Sequence, residues 1–165
     1  MNWDLATDII LYAAILALGI FAALAAGQWI SRKSFKKIDP ALRSMLIPLV
    51  LMVLVYVLCD KVLPRFISMP TRPDGSGEPS FPSTHVMVVG TIFCLIAGAL
   101  PSYIHSRTLT AVIWILMAVL MTLCSVGRIV ANKHTLVDVL GGLGFAILFA
   151  IIYTVTLKKL TKPKE

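Results

Sequence analysis

Polar and apolar residues fall along this chain in long blocks rather than in short amphipathic alternation. Five apolar runs stand out, over about residues 7–30, 46–62, 86–100, 109–126 and 136–157. A helix needs about 20 apolar residues to cross roughly 30 Å of hydrocarbon. The third run is short, so its helix is expected to begin earlier, near Ser83. Between the runs lie a basic loop (31–43), a Pro/Gly-rich loop (63–82), a short turn (101–107) and a polar segment (127–135). The pattern predicts an all-α, polytopic transmembrane bundle of about five spans, in one domain covering residues 1–165.

Composition supports that architecture. With 58% hydrophobic and 14% charged residues, the chain is too apolar for an ordinary soluble domain. The start, Met1-Asn2-Trp3-Asp4, lacks a basic n-region, and the run behind it is full span length, so no cleavable signal peptide is expected. Cys59, Cys94 and Cys124 lie in or beside apolar runs without metal-ligand spacing and read as small buried hydrophobes.

The net charge of +7 changes meaning once it is distributed. One set of loops carries Arg32, Lys33, Lys36, Lys37, Arg43, Arg107, Lys158, Lys159, Lys162 and Lys164; the other carries Lys61, Arg65, Arg72, Arg128 and Lys133. The positive-inside rule makes the richer face cytoplasmic, with the amino terminus outside and the carboxyl terminus inside. The basic balance is therefore a matter of topology and of contact with anionic lipid headgroups, not a nucleic-acid footprint.

The candidate chemistry gathers on the other, outer face. His134 and Asp138 are four residues apart and would share one helical face, where the carboxylate accepts an imidazole N–H and leaves the second ring nitrogen as a nucleophile or base. An ionisable group inside a span is costly and usually serves a purpose. His85 follows Ser83 and Thr84 at a helix start, where a hydroxyl can cap the helix and free N–H groups favour an anion. Arg65, Arg72 and Arg128 are forked donors suited to phosphate oxygens. Each alone reads as an interface anchor. Together, on the face that should be poor in cations, they call for an anionic ligand.

The order Arg65-x6-Arg72-Pro73, Pro82-Ser83-x-His85 and Arg128-x5-His134-x3-Asp138 resembles the three motifs of the type 2 phosphatidic acid phosphatase (PAP2) superfamily: Lys-x6-Arg-Pro, Pro-Ser-Gly-His and Ser-Arg-x5-His-x3-Asp. The resemblance implies a metal-independent membrane phosphatase without a cofactor. It implies that His134 attacks phosphorus to form a phosphohistidine, that Asp138 orients it, and that His85 protonates the leaving oxygen and then activates water. Arg65, Arg72, Ser83 and Arg128 would hold the phosphate. Three positions depart from the pattern: Arg65 replaces Lys, with Lys61 nearby at the wrong spacing, Thr84 replaces Gly, and Gly127 replaces Ser. Members often have six spans, and the one expected to be missing here is the first.

The implied substrate is a phosphorylated membrane lipid met in the bilayer. An outward-facing site suits undecaprenyl pyrophosphate, a carrier recycled outside the cytoplasm; phosphatidylglycerol phosphate, phosphatidic acid and lipid A are the alternatives. A non-catalytic lipid-phosphate binder or flippase would keep the arginines but would not require His85 together with the His134–Asp138 pair. The sequence leaves oligomeric state open.

Overall fold

The computed structural model describes residues 2–162, so Met1 and the tail residue Lys164 lie outside the described residues. Five helices follow one another: α1 (Trp3–Arg32), α2 (Pro40–Val57), α3 (Thr84–Ala99), α4 (Arg107–Val130) and α5 (Leu136–Thr161). All five, with the short turns that prolong α2 and α3, are long and apolar enough to cross a membrane. Among the described residues the only extended pairing is a single bridge between Thr71 and Pro79.

Local chemistry sets the helix starts. Asn2, Asp39 and Ser106 each accept a backbone N–H in the first turn behind them, and Pro40 stands where its missing N–H costs nothing. Thr135 and Asp138 close a reciprocal capping box at the head of α5. The far end of α2 is less regular. It passes through a π turn (Leu58–Val62) and a 3-10 turn (Leu63–Arg65) before the long loop.

α3 is the axis of the bundle. Of its membrane-spanning stretch 61% is buried, against 33% for α5 and 11% or less for the others. It packs on all four other helices, and Val86, Met87, Val89, Ile92 and Leu95 are fully enclosed. The outer helices turn Leu16, Ile115 and Val137 away from the protein, as a lipid-facing surface requires. Helix association in lipid rests on close packing rather than on escape from water, and small residues permit it here. A Cβ at Gly142 of α5 would stand 2.7 Å from the Ser83 carbonyl oxygen. Only glycine lets the head of α5 lie this close to the head of α3.

Candidate active site

The head of α1, the tail of α2, the head of α3, the tail of α4 and the head of α5 share one end of the bundle. Over them folds the loop between α2 and α3. The Arg72 N–H donates to the Glu78 carbonyl (2.9 Å) and the Ser80 N–H to the Pro70 carbonyl (2.8 Å), closing a narrow hairpin. Gly75 and Gly77 turn it at φ 78° and 74°, where a side chain would be strained. The hairpin holds the Arg72 guanidinium against the Glu78 carboxylate and lays Ser80 beside α5.

His134 precedes α5 instead of lying on it, because Thr135 is the cap residue. The expected direct His134–Asp138 bond is therefore replaced. Asp138 Oδ2 accepts the Thr135 N–H (2.7 Å), the Thr135 hydroxyl (2.8 Å) and the Ser80 hydroxyl. A carboxylate at this helix position is claimed locally by the orphan cap N–H. The imidazole turns to Ser80 instead, with Nδ1 2.9 Å from the Ser80 carbonyl oxygen. A carbonyl only accepts, so Nδ1 carries the proton and Nε2 the lone pair. Nε2 is buried without a partner. Burial, followed by the Arg128 and Arg72 guanidinium groups, pushes the His134 pKa down to about 4. The ring is neutral near pH 7, and Asp138 reaches it at one remove, through Ser80.

Arg128 sits in the last turn of α4. One terminal nitrogen donates to Asp4 Oδ1 (2.7 Å) and lies 3.4 Å from the Thr7 hydroxyl, while its Nε has no partner. The Arg128 carbonyl accepts the His134 N–H at 3.2 Å, which ties the end of α4 to the histidine. Lys133 closes the rim, with Nζ 3.0 Å from Asp74 and 3.6 Å from Asp4. Ser83 occupies the cap position of α3 without making the expected capping bond; its hydroxyl is buried and unpartnered. Its N–H donates to the Asp138 carbonyl at 2.9 Å, the contact that Gly142 permits. His85, in the first turn of α3, places Nε2 2.8 Å from Asp8 Oδ1 of α1.

Six of the seven residues singled out from sequence thus meet: Arg72, Ser83, His85, Arg128, His134 and Asp138. Arg65 does not join them. It is exposed on the 3-10 turn and makes no side-chain hydrogen bond or ion pair among the described residues. The change from α to π to 3-10 winding shifts the register at this end of α2, so that Lys61 lines a cavity that Arg72 and His85 share, while Arg65, Ser83, Arg128 and His134 are not in its lining. That cavity measures about 480 Å³ and runs from Lys61, Arg72 and His85 to Leu11, Ile15 and Val88. Sequence reasoning missed Asp4, Asp8, Glu78 and Ser80, and set Lys61 aside for its spacing. Two carboxylates in the first two turns of an apolar span were a readable signal for Asp4 and Asp8. The Thr135-x-x-Asp138 spacing was a readable signal for the cap.

Comparison with known proteins adds the following. The sequence profile of the PAP2 superfamily matches residues 13–162. Among solved structures, the fold is similar to that of the transmembrane PAP2 type phosphatidylglycerolphosphate phosphatase of Bacillus subtilis. The TM-score is 0.71 and the identity 22%, over 99% of this chain and 81% of that one. No curated protein sequence matches the chain.

Proposed function

The chain belongs to the PAP2 superfamily, and we propose that it hydrolyses a phosphorylated membrane lipid at the outer face of the bilayer, with His134 as nucleophile. One observation carries the reading. Among the described residues, four buried polar atoms lack partners at the same end of the bundle: Arg72 Nε, Ser83 Oγ, Arg128 Nε and His134 Nε2. Three can donate to phosphate oxygens and the fourth holds a lone pair. Buried polar groups are normally satisfied, and a phosphoryl group satisfies all four.

In the reaction, Nε2 of His134 bonds to phosphorus as the bond to the leaving oxygen breaks, and His85 gives that oxygen a proton. The ring of His134, now cationic, keeps its Nδ1 proton on the Ser80 carbonyl, and the Asp138 carboxylate behind Ser80 favours the charge. Water then attacks phosphorus, His85 takes its proton, and the N–P bond breaks. Arg72, Ser83 and Arg128 hold the equatorial oxygens, which is the positioning and charge stabilisation that phosphoryl transfer chiefly demands. The step uses no metal.

Lys61 bears on the substrate. It lines the cavity beside Arg72 and His85, one more cation than a single phosphate needs, although Asp60 lies 2.7 Å from it. That favours a lipid with a second phosphate next to the reacting one. Undecaprenyl pyrophosphate is the first choice, and phosphatidylglycerol phosphate, the lipid for which the similar Bacillus subtilis phosphatase is named, also carries two phosphates. The test is phosphate release by detergent-purified protein in excess chelator, from these two lipids, phosphatidic acid and lipid A, with His134→Ala inactive and an alkali-stable phosphoenzyme trapped in the parent. Metal-dependent turnover, or an active His134→Ala variant, overturns the mechanism. Labelling of a cysteine at position 74 from the cytoplasmic side overturns the sidedness.

A further inference from the structure

α1 lies outside the three motif segments, yet it reaches both histidine neighbourhoods. Its only charged residues are Asp4, Asp8 and Arg32. Asp4, Thr7 and Asp8 are spaced to share one face, and all three turn to the site: Asp4 and Thr7 meet Arg128, and Asp8 meets His85. A carboxylate two turns into an apolar span is costly without a partner. Here the partner is the His85 ring, at 2.8 Å. A carboxylate only accepts, so Nε2 of His85 carries a proton toward Asp8 and Nδ1 is left as the nitrogen that exchanges protons with substrate.

We propose that Asp8 is the positioning residue for His85, forming a direct carboxylate–imidazole pair that fixes the ring and favours its protonated form. The inference rests on the reading of His85 as acid and base given above. In the first half-reaction the His85 imidazolium passes its Nδ1 proton to the leaving oxygen as the P–O bond breaks and the bond to His134 forms. His85 is then neutral, with Nε2–H still directed at Asp8. In the second half-reaction Nδ1 takes a proton from the attacking water, and the imidazolium is restored. Asp8 neither gains nor loses a proton in the cycle.

The leaving group provides a readout that a merely structural role would not move. An alkoxide needs its proton, whereas p-nitrophenolate departs without one. Parent, Asp8→Asn, Asp8→Glu and His85→Ala proteins are compared on dioctanoyl phosphatidic acid and on p-nitrophenyl phosphate. Asp8→Asn should lower kcat/KM for the lipid by about 10- to 100-fold, part of the effect of a general acid, with a loss about tenfold smaller on the aryl ester. Asp8→Glu should recover part of the lipid rate, and adding Asp8→Asn to His85→Ala should cost nothing more. Equal losses on both substrates would assign Asp8 to folding alone. A lower KM with unchanged kcat would mean that Asp8 stands where the phosphate must bind. Either result overturns the proposal. Full lipid activity in His85→Ala would instead overturn the reading of His85 on which it rests.

Discussion

Replacing Ser80 by alanine tests whether Asp138 acts on His134 through an intermediary. Alanine keeps the backbone carbonyl, so the Nδ1–H bond at 2.9 Å and the tautomer survive. What disappears is the hydroxyl that donates to Asp138. A hydrogen bond to a charged group contributes about 1.5–3 kcal/mol. Two donors from Thr135 remain on the same oxygen, at 2.7 and 2.8 Å, which points to the low end, about 1.5–2 kcal/mol. If that energy is realised as the imidazolium charge develops, kcat falls about 10- to 30-fold. Asp138→Asn leaves a carbonyl oxygen that can accept all three donors, since they meet on Oδ2, and removes the charge. Losing the charge that answers the imidazolium costs at least as much as losing its one link to Ser80, so a fall in kcat of about 30- to 100-fold is expected. Because both changes cut one relay, the double variant should be no slower than Asp138→Asn, a coupling of about 1.5–2 kcal/mol in the cycle. The assay is kcat at saturating lipid together with the single-turnover rate of phosphoenzyme formation. An unaffected Ser80→Ala beside a dead Asp138→Asn, or strictly additive losses, would refute the relay.

Lys61→Ala should lower kcat/KM about tenfold or more for undecaprenyl pyrophosphate and phosphatidylglycerol phosphate, the range of a charged hydrogen bond, and leave phosphatidic acid nearly unchanged; a uniform loss across the three lipids would remove the second-phosphate argument. Gly142→Ala drives a Cβ to 2.7 Å from the Ser83 carbonyl and should destabilise the bundle by about 1–3 kcal/mol, as overpacking does. Its melting temperature in detergent should fall, and activity should fall with it as the Ser83–Asp138 contact opens. The His134 pKa, lowered to about 4 from 6.5, has a sign that acid unfolding can read. Below pH 6.5 the unfolded chain takes up a proton that the folded chain refuses until about pH 4, so stability falls across that window by about 3 kcal/mol. His134→Gln should flatten that part of the pH profile, and an unchanged slope would show that the ring is not held neutral by the fold.

The spans were legible because each is a block of apolar residues on the scale of a bilayer, and no tertiary information is needed to see such a block. Arg72, Ser83, His85, Arg128, His134 and Asp138 were legible as a group because three segments place them at the same ends of helices. Arg65 shows where spacing stops being informative. Its interval to Arg72 is right, but a π turn inside Leu58–Val62 and a 3-10 turn after it redirect the chain, and no hydrophobic pattern encodes that switch. The His134–Asp138 pairing fails for a related reason. Four residues make neighbours only on a helix, and the helix begins after His134, with Thr135 as its cap. Ser80 was illegible because its part depends on a hairpin closed by backbone bonds, to which its side chain adds no signal.

The carboxylates that sequence reasoning overlooked explain how so much positive charge is tolerated at the membrane edge. Arg72 pairs with Glu78, Arg128 with Asp4 and His85 with Asp8. In each pair the basic side chain is the more enclosed partner; the Arg128 side chain is 3% exposed and that of Asp4 43%. The acids therefore stand on the outer flank, and the unpartnered Nε atoms of Arg72 and Arg128 are left for the ligand. An arginine whose terminal nitrogen is already held cannot swing, so less ordering is left to occur when phosphate arrives. The same pairing tempers affinity. Two unmatched guanidinium groups in a low dielectric would bind any phosphate dianion tightly, including the inorganic product. With each guanidinium partly neutralised by its carboxylate, a resting dianion is expected to be held only moderately. What then distinguishes the transition state in the proposed reaction is the cationic charge that appears on His134 itself, and that charge is answered by Asp138 from behind Ser80. Strong stabilisation is thereby kept for the moment of transfer and withheld from the product.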